Sequence, residues 1–411
     1  MPCARPVGRG FFPLDEELAL LGSSFSPFIH QCIVRLGTLL PFDQVPEQIA
    51  ALTGVTVSRE TVRRLTEQAG AAQVTVETED LRRVPREEQP VLEEGVVQQL
   101  SADGAMVPLR HGRWAEVRTL AVGIVEQERG PQGLEGHARD VSYFSRLCSA
   151  NAFIDWAALP LQQRGTERAR TVVAVTDGAP WLQELISAHR PDAVRILDFP
   201  HAAGYLSQAA SAALGAGSRE AAVWLEVWLP ALKKRPPEEV LEAIRALPTP
   251  TPEAVVTRRQ VLAYLQQRLE HLRYARFRAL GYPIGSGMVE SGNKLVVEAR
   301  LKGAGMHWEA GNVTPMLALR GVLCSGRWDE VWPRLWQHLV RQVQECRRQG
   351  RLRRQAARVQ QAAPGTILPS AAKRVPPEPK RVVDGHPTTD HPWKGGYDLR
   401  LLARSRARAK S

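Results

Sequence analysis

TVVAVTDG, residues 171–178, is a short run of β-branched and small apolar residues that ends in an aspartate and a glycine. A continuous apolar run of this length is typical of a parallel strand buried on both faces. Pro180 follows, and proline suits the first turn of a helix. A second run, AVRIL at 193–197, ends at Asp198. The pattern predicts an α/β fold with acidic residues at strand ends, where open sheets place their sites.

Upstream of this stretch, residue types alternate as antiparallel strands require. VVQQLSADGAMVPL (96–109) leads through His111 and Gly112 into RWAEVRTLAVGIVEQ (113–127). Alternation with a period of two is typical of half-buried strands. This segment therefore predicts two or three antiparallel strands, with Asp103 in the first of them.

Downstream, residues 218–278 have an almost wholly helical pattern, broken by LPTPTPE at 247–253. The glycine-containing segment GSGMVESGNK (285–294) follows, and its Ser286 is placed to cap a helix that carries Glu290. Glu298 is a rival acid further along the same helix.

Helical spacing predicts that Glu290 and Lys294 share one face of this helix with Val297 and Leu301. An acid and a lysine one turn apart could then serve the same site. The alternative is an ordinary surface pair of opposite charges four residues apart, which contributes little.

Residues 41–70 have the pattern of a helix-turn-helix. Gly54 marks a turn, and Ser58 is placed to cap a second, basic helix. A basic helix after such a turn is a common DNA-reading element, and it supplies three DNA-binding candidates: Arg59, Arg63 and Arg64. A plain helical hairpin with arginines facing water gives the same pattern. Residues 73–95, which are charged and contain two prolines, predict a linker.

Composition places the chain among globular proteins. It has 411 residues, of which 44% are apolar and 24% charged, enough for about two or three domains. No apolar run approaches the roughly 20 residues that span a bilayer. The N-terminal segment lacks the apolar stretch of a signal peptide, so a cytoplasmic location is expected.

Charge and cysteines narrow the class further. The five cysteines form no C-x-x-C pair, so neither a zinc ribbon nor a redox motif is indicated. The net charge is +11, and residues 340–411 alone hold 17 basic and 5 acidic residues. A basic tail of this kind binds phosphate backbones without reading sequence. A solvated tail without a partner is the alternative.

Three acids stand in comparable settings, namely Asp103, Asp177 and Glu290. If the fold brings them together, their charges repel one another and raise their pKa values. A divalent ion removes that repulsion, and carboxylate oxygens suit Mg²⁺ or Mn²⁺. The alternative is that they are ordinary turn acids, because Asp-Gly is a common turn dipeptide.

Several blocks in order resemble one family. SADGAMVPL, EVRTLAVG, VAVTDGAPWL, ILDFPHAAGYL, GSGMVESGNKLVVEARLKGAGMHW and TTDHPW are similar to insertion-sequence transposases of the ISKra type, which are DDE transposases with a ribonuclease-H-like core. The resemblance runs from about residue 10 to residue 393, and the GSGMVES…GMHW block is its most specific part.

The resemblance implies an α/β fold with a ribonuclease-H-like mixed sheet flanked by helices. Together with the residue patterns, it divides the chain into six segments: a helical DNA-binding region (1–72), a linker (73–95), the first part of the core (96–217), an all-α insertion (218–280), the catalytic helix with the rest of the core (281–345), and a basic, largely disordered tail (346–411).

The resemblance also implies a site. Asp103, Asp177 and Glu290 match the three catalytic, metal-binding acids, which would hold two Mg²⁺ or Mn²⁺ ions. Asp198 and His201 match a supporting D-x-x-H motif.

Three basic residues on or beyond the glutamate helix are candidates for phosphate contacts, namely Lys294, Arg300 and Lys302. Trp308 is a candidate for stacking on an unpaired base, or else a core tryptophan. The expected partner is DNA, both the element ends and the target, bound by a homodimer or higher oligomer.

Both ends depart from the family pattern. Similar transposases carry C-x-x-C pairs upstream of GFFPLDE (10–16), where this chain has only Cys3, and the tail beyond Trp393 also differs. These departures leave three explanations open: a truncated copy, a frameshifted copy, or one half of a two-frame element. They also favour an alternative function as a DNA-binding protein that no longer cleaves. A glycoside hydrolase with paired carboxylates is disfavoured, because it needs neither a basic tail nor a helix-turn-helix.

Overall fold

The computed structural model describes residues 25–84, 95–130 and 133–362, together with 382–383 and 386–387. The chain divides into two compact units, Met1–Glu345 and Cys346–Ser411. The segment around Cys3, the GFFPLDE block and most of the predicted tail lie outside the described residues.

A mixed five-stranded sheet forms the centre of the first unit. Its strands are β1 Val97–Pro108, β2 Trp114–Gly130, β3 Gly133–Arg146, β4 Thr171–Thr176 and β5 Val194–Leu197. They lie in the order β3-β2-β1-β4-β5. The first three strands pair antiparallel, whereas β4 pairs parallel with β1 and β5 parallel with β4. The predicted α/β class and the antiparallel-then-parallel order of strands are confirmed.

Helices surround this sheet. Those of the first unit are Pro27–Leu39, Val45–Thr53, Arg59–Leu81, Ala150–Gln163, Pro180–His189, Phe199–Leu214, Arg219–Lys234, Pro237–Arg245, Pro252–Gln266, Tyr274–Ala279, Gly287–Gly292, Ala299–Leu301, Ala310–Cys324 and the start of Trp328–Ala362. A π-helical turn, Asn293–Glu298, joins Gly287–Gly292 to Ala299–Leu301. No helix among the described residues is long and apolar enough to cross a membrane.

Alternation along β4 separates two hydrophobic cores. Val173 and Val175 face a core built with the helices between residues 199 and 277. Val172 and Ala174 face the other core, built with Ala150–Gln163 and Pro180–His189. Successive strand residues point to opposite faces of a sheet, so one apolar run contributes to both cores. The predicted insertion, 218–280, is all helical as expected and packs on one face.

The N-terminal segment contains the helices Val45–Thr53 and Arg59–Leu81 joined by a turn, as both the helix-turn-helix and the helical-hairpin interpretations predict. Gly54 ends the helix Val45–Thr53 with φ +70°, a left-handed conformation that favours glycine. Ser58 Oγ accepts the Thr61 N–H at 3.2 Å and caps the next helix. These helices share a hydrophobic core with Leu319 and Trp332 near the C-terminal end of the unit, so they do not stand apart from it.

The predicted linker over 73–95 is wrong in its first part. The helix that begins at Arg59 continues to Leu81, because its buried face continues through Val76 and Glu77. Glu77 also forms a buried ion pair with Arg146 at the end of β3, and a buried charge is stable only when it is paired. Residues 85–94 lie outside the described ranges.

The second unit begins within the last helix. That helix, Trp328–Ala362, agrees with a last helical block that the sequence pattern predicts through roughly residue 360, so the first part of the basic tail is helical. Two short strands, β6 Val382–Val383 and β7 His386–Pro387, pair antiparallel.

Candidate metal and DNA-cleavage site

Asp103 lies within β1, half-buried and opposite Thr119 of β2. Its Oδ1 accepts the Gly104 N–H at 2.7 Å, and its Oδ2 accepts an N–H of the Asn293 side chain at 2.9 Å. Burial raises the pKa of Asp103, and the nearby charges of Asp177 and Glu290 raise it further, against the lowering effect of the two donors. Asp103 therefore lies within electrostatic range of both other predicted acids.

Asp177 follows β4 directly, and strand register places it beside Asp103. Val97 pairs with Thr171 and Leu100 with Ala174, so the same offset continued by three residues brings the two aspartates to the same level. Asp177 Oδ1 accepts the Ala179 N–H at 2.8 Å, an aspartate turn that fixes the carboxylate at the strand end.

Two residues from the helical insertion hold this turn. The Tyr264 hydroxyl donates to the backbone carbonyl of Asp177, and the Arg268 guanidinium donates to that of Gly178 at 3.0 Å. Gly178 has φ +81°, and a Cβ there would lie 2.7 Å from Arg268 Nε, so both the conformation and the space require glycine. The helical insertion (218–280) thus stabilises the turn that carries Asp177. No pattern in the sequence of the insertion had indicated this role.

Glu290 projects from the short helix Gly287–Gly292 and is exposed. Its Oε1 lies 3.4 Å from Ser286 Oγ. The helix lies close to the sheet because Gly292 has no side chain: a Cβ there would lie 2.7 Å from the Tyr143 ring. Gly123 of β2 likewise leaves room for Met288. Two glycines thus let the Glu290 helix approach the strands that carry Asp103.

The predicted shared face of Glu290, Lys294, Val297 and Leu301 is wrong. Glu290 and Lys294 are exposed, whereas Val297 and Leu301 are fully buried. The π-helical turn changes the register between the two halves. Asn293, rather than Lys294, is the residue of this helix that contacts Asp103.

Asp198 and His201 support the site through the backbone. Asp198 Oδ1 accepts the Ser286 N–H at 2.7 Å, and Oδ2 accepts the His201 N–H at 3.1 Å. One carboxylate thus caps the helix Phe199–Leu214 and anchors the loop that leads to Glu290. Burial raises the pKa of Asp198, and the charge of Glu290 adds to this. The His201 ring packs edge-on against Tyr205, with centroids 5.3 Å apart.

The N-terminal arginines divide into two groups. Arg59 and Arg64 are exposed. Arg63 instead pairs with Glu60 and Glu67 on its own helix, at 2.6 and 3.0 Å. The charge of Arg63 is therefore largely satisfied within the helix.

The basic residues after Glu290 also differ in exposure and in their partners. Lys294 is exposed, and Lys302 pairs with Glu298 at 2.8 Å. The prediction of a DNA contact for Arg300 is wrong: Arg300 is buried, donates to the carbonyl of Gly37 and lies over the rings of Phe42 and Trp308.

Trp308 belongs to the core. It is 8% exposed, and its indole N–H donates to the Leu301 carbonyl at 3.2 Å. Of the two interpretations of Trp308, the core tryptophan is confirmed.

The donors at the site fit a hard divalent cation. Asp103, Asp177 and Glu290 offer carboxylate oxygens, and the buried Asn293 Oδ1 has no hydrogen-bond partner. Oxygen donors of this type suit Mg²⁺ or Mn²⁺. Within residues 25–84, 95–130 and 133–362, no three acids, histidines or cysteines stand close enough to hold an ion as they are placed. The fit therefore rests on the chemistry of the donors and on the mutual repulsion that a cation relieves.

Replacing Asp177 with asparagine should lower the pKa of Asp103, because one of the charges that raise it is removed. Burial would still keep that pKa above the ordinary aspartate value. Carbon-13 NMR titration of the Asp103 carboxyl in the wild type and in Asp177→Asn measures the change. An unchanged pKa would show that the two carboxylates do not interact.

No protein-family model matches the chain, and no curated protein sequence matches it.

Proposed function

We propose that the chain is a DDE-type DNA transposase with a ribonuclease-H-like core, which cleaves the ends of an insertion element and joins them to target DNA. The observation that carries this proposal is the electrostatic interaction of Asp103 with Asp177 and Glu290, which come from two adjacent strands and a helix far apart in sequence. The strand register that brings Asp103 level with Asp177, and the hydrogen bond from Asn293 on the Glu290 side of the site, support the same grouping. Carboxylate oxygens grouped in this way suit a hard divalent cation.

The topology supports the same proposal. Three antiparallel strands followed by two parallel strands are compatible with a ribonuclease-H-like sheet. The first acid lies in the central strand, the second follows the adjacent one, and an all-α segment separates the second acid from the glutamate. This is the arrangement that the resemblance to ISKra-type transposases leads one to expect.

The residues have separate tasks in the proposed mechanism. Asp103, Asp177 and Glu290 would hold two Mg²⁺ or Mn²⁺ ions. When bound, such ions activate the attacking water or 3′-hydroxyl and stabilise the leaving oxygen.

The protein's own contribution is positioning. Gly104 and Asn293 orient the carboxylate of Asp103, Tyr264 and Arg268 fix the turn at Asp177, and Asp198 fixes the loop before Glu290. No covalent enzyme intermediate is needed, so no nucleophilic serine, tyrosine or cysteine is assigned.

An open groove of about 550 Å³ runs beside the Glu290 helix. It lies between β3 and the loop before that helix, and polar side chains of His137, Arg139 and Ser291 contribute to its lining. Asp103, Asp177 and Glu290 do not contribute to its lining, so no DNA contact is assigned to this groove.

The last helix offers a surface for duplex DNA. Arg347, Arg351 and Arg354 recur at intervals of four and three residues, so they share one face. Arg351 and Arg354 are exposed and Arg347 is half-exposed. Over 341–357 the helix has Glu345 as its one acid. We assign this arginine face, residues 347, 351 and 354, to the phosphate backbone.

Replacing all three residues of the arginine face with alanine should weaken DNA binding regardless of sequence. For every phosphate that is no longer neutralised, the slope of log affinity against log salt should become shallower by about 0.9. Fluorescence anisotropy with a labelled duplex at several salt concentrations measures both effects. The control is the equal charge change Arg219→Ala, Arg235→Ala and Arg259→Ala on the insertion. Equal effects in both triple variants would contradict a specific role for the arginine face.

The proposed function is tested by a strand-transfer assay. Labelled duplexes are taken from both sides of the reading frame that encodes the chain, and purified protein is added with Mg²⁺ or Mn²⁺. The transposase proposal predicts cleaved ends and joined products that require the metal. Gel shifts without any cleaved product would instead support a DNA-binding protein that no longer cuts. Since two ends must be held together, the active species should be a dimer or larger on DNA.

A further inference from the structure

Asn293 stands out among the buried polar side chains. It is 6% exposed and lies one turn after Glu290. Its Nδ2 donates to Asp103 Oδ2 at 2.9 Å, and its Oδ1 is buried without a hydrogen-bond partner. Buried amides in a folded core usually have both ends satisfied. Gln73 and Gln98 also have buried amide oxygens without a partner. Asn293 differs from them because its amide N–H donates to one of the three acids.

The π-helical turn puts Asn293 where it is. From Met288 to Leu301 the buried residues come in adjacent pairs that repeat every four residues: 288 and 289, 292 and 293, 296 and 297, 300 and 301. Four residues of α-helix advance by about 400°, so a regular helix would drift by about 40° with each repeat. The wider turn over Asn293–Glu298 takes up part of this drift, and such turns often occur at functional sites.

The neighbours of Asn293 leave it little freedom. Gly292 before it contacts the Tyr143 ring, and Val296 and Val297 after it are fully buried. The helix is thus fixed against the sheet on both sides of Asn293. The packing of the helix thus places the Asn293 amide beside Asp103, to which its N–H donates.

Resting on the proposed function, we propose that Asn293 is a positioning residue for the metal site: it holds the Asp103 carboxylate through its amide N–H. Its unpaired oxygen, on the same amide carbon, is left as one more hard oxygen donor at the site.

The test compares Mn²⁺ binding, followed by electron paramagnetic resonance, in the wild type and in Asn293→Leu. Leucine is close in size, so helix packing should be kept. The gain from removing an unpaired buried oxygen opposes the cost of the lost hydrogen bond to Asp103, so the melting temperature should change little. Loss of a residue that orients a ligand typically weakens metal binding 10- to 100-fold. We therefore expect weaker Mn²⁺ binding at unchanged stability.

Asn293→Ser, which keeps a donor in a smaller side chain, should bind Mn²⁺ more tightly than Asn293→Leu and remains informative if leucine disturbs folding. Equal Mn²⁺ affinity in the wild type and in folded Asn293→Leu would overturn the positioning role while leaving the proposed function intact. If leucine disturbs folding, Asn293→Ala, which also lacks the donor, replaces it with the same two outcomes. A wild-type protein that binds no Mn²⁺ would overturn both.

Discussion

Asp103→Asn should abolish metal-dependent cleavage and strand transfer while leaving DNA binding in gel shifts unchanged. Asparagine has the size of aspartate but lacks the negative charge that a divalent ion requires. Removing a single hydrogen-bond donor at a reacting centre costs about 10²–10³ in rate. Removing a shared metal ligand should cost more, so we expect a decrease of at least about 10³-fold in the strand-transfer assay.

The matched controls for Asp103→Asn lie on the glutamate helix. Glu290→Gln should have the same effect, whereas Glu298→Gln should retain activity, because Glu298 pairs with Lys302 away from the three acids. Wild-type activity in Asp103→Asn, or equal decreases in Glu290→Gln and Glu298→Gln, would contradict the assignment of the site.

Gly292→Ala should displace the helix that carries Glu290 and Asn293, and so reduce both stability and activity. The added Cβ would lie 2.7 Å from the Tyr143 ring. Overpacking of this kind costs about 1–3 kcal/mol. The free energy of unfolding from urea titration and the rate in the strand-transfer assay are the two measurements.

Gly287→Ala is the control on the same helix. A Cβ at Gly287 would meet no atom within 4 Å, and alanine is favoured over glycine in a helix by up to about 1 kcal/mol. Gly287→Ala should therefore leave stability unchanged or slightly higher and keep activity. If Gly292→Ala behaved in the same way, the close approach of helix and sheet at Tyr143 would not matter to the site.

Local patterns predicted the strands and the settings of the acids. The run TVVAVTDG becomes β4 with Asp177 at its end, and the alternation around Asp103 becomes β1 and β2. These elements depend on residues close in sequence. The pairing of β1 with β4, which brings the aspartates together, joins residues 74 positions apart, such as Val97 and Thr171, so no local pattern could predict it.

Local sequence patterns could not predict the hydrogen bonds that hold the site, because these bonds join residues far apart in the chain. Tyr264 reaches Asp177 across 87 positions, and Asn293 reaches Asp103 across 190. Arg300 was expected at DNA because it is charged, but its stem and guanidinium are buried against Phe42 and Trp308. The π-helical turn rotated Lys294 and Asn293 relative to a regular helix, and regular helical counting could not include it.

The most direct test of the metal site is an Mn²⁺ titration of the wild-type protein and of Asp177→Asn, followed by electron paramagnetic resonance, with Glu298→Gln as control. The three converging acids predict that the wild type and Glu298→Gln bind Mn²⁺ equally, and that Asp177→Asn loses this binding. Binding by Asp177→Asn at the wild-type level, or no binding by the wild type, would contradict the claim that Asp103, Asp177 and Glu290 form one metal site.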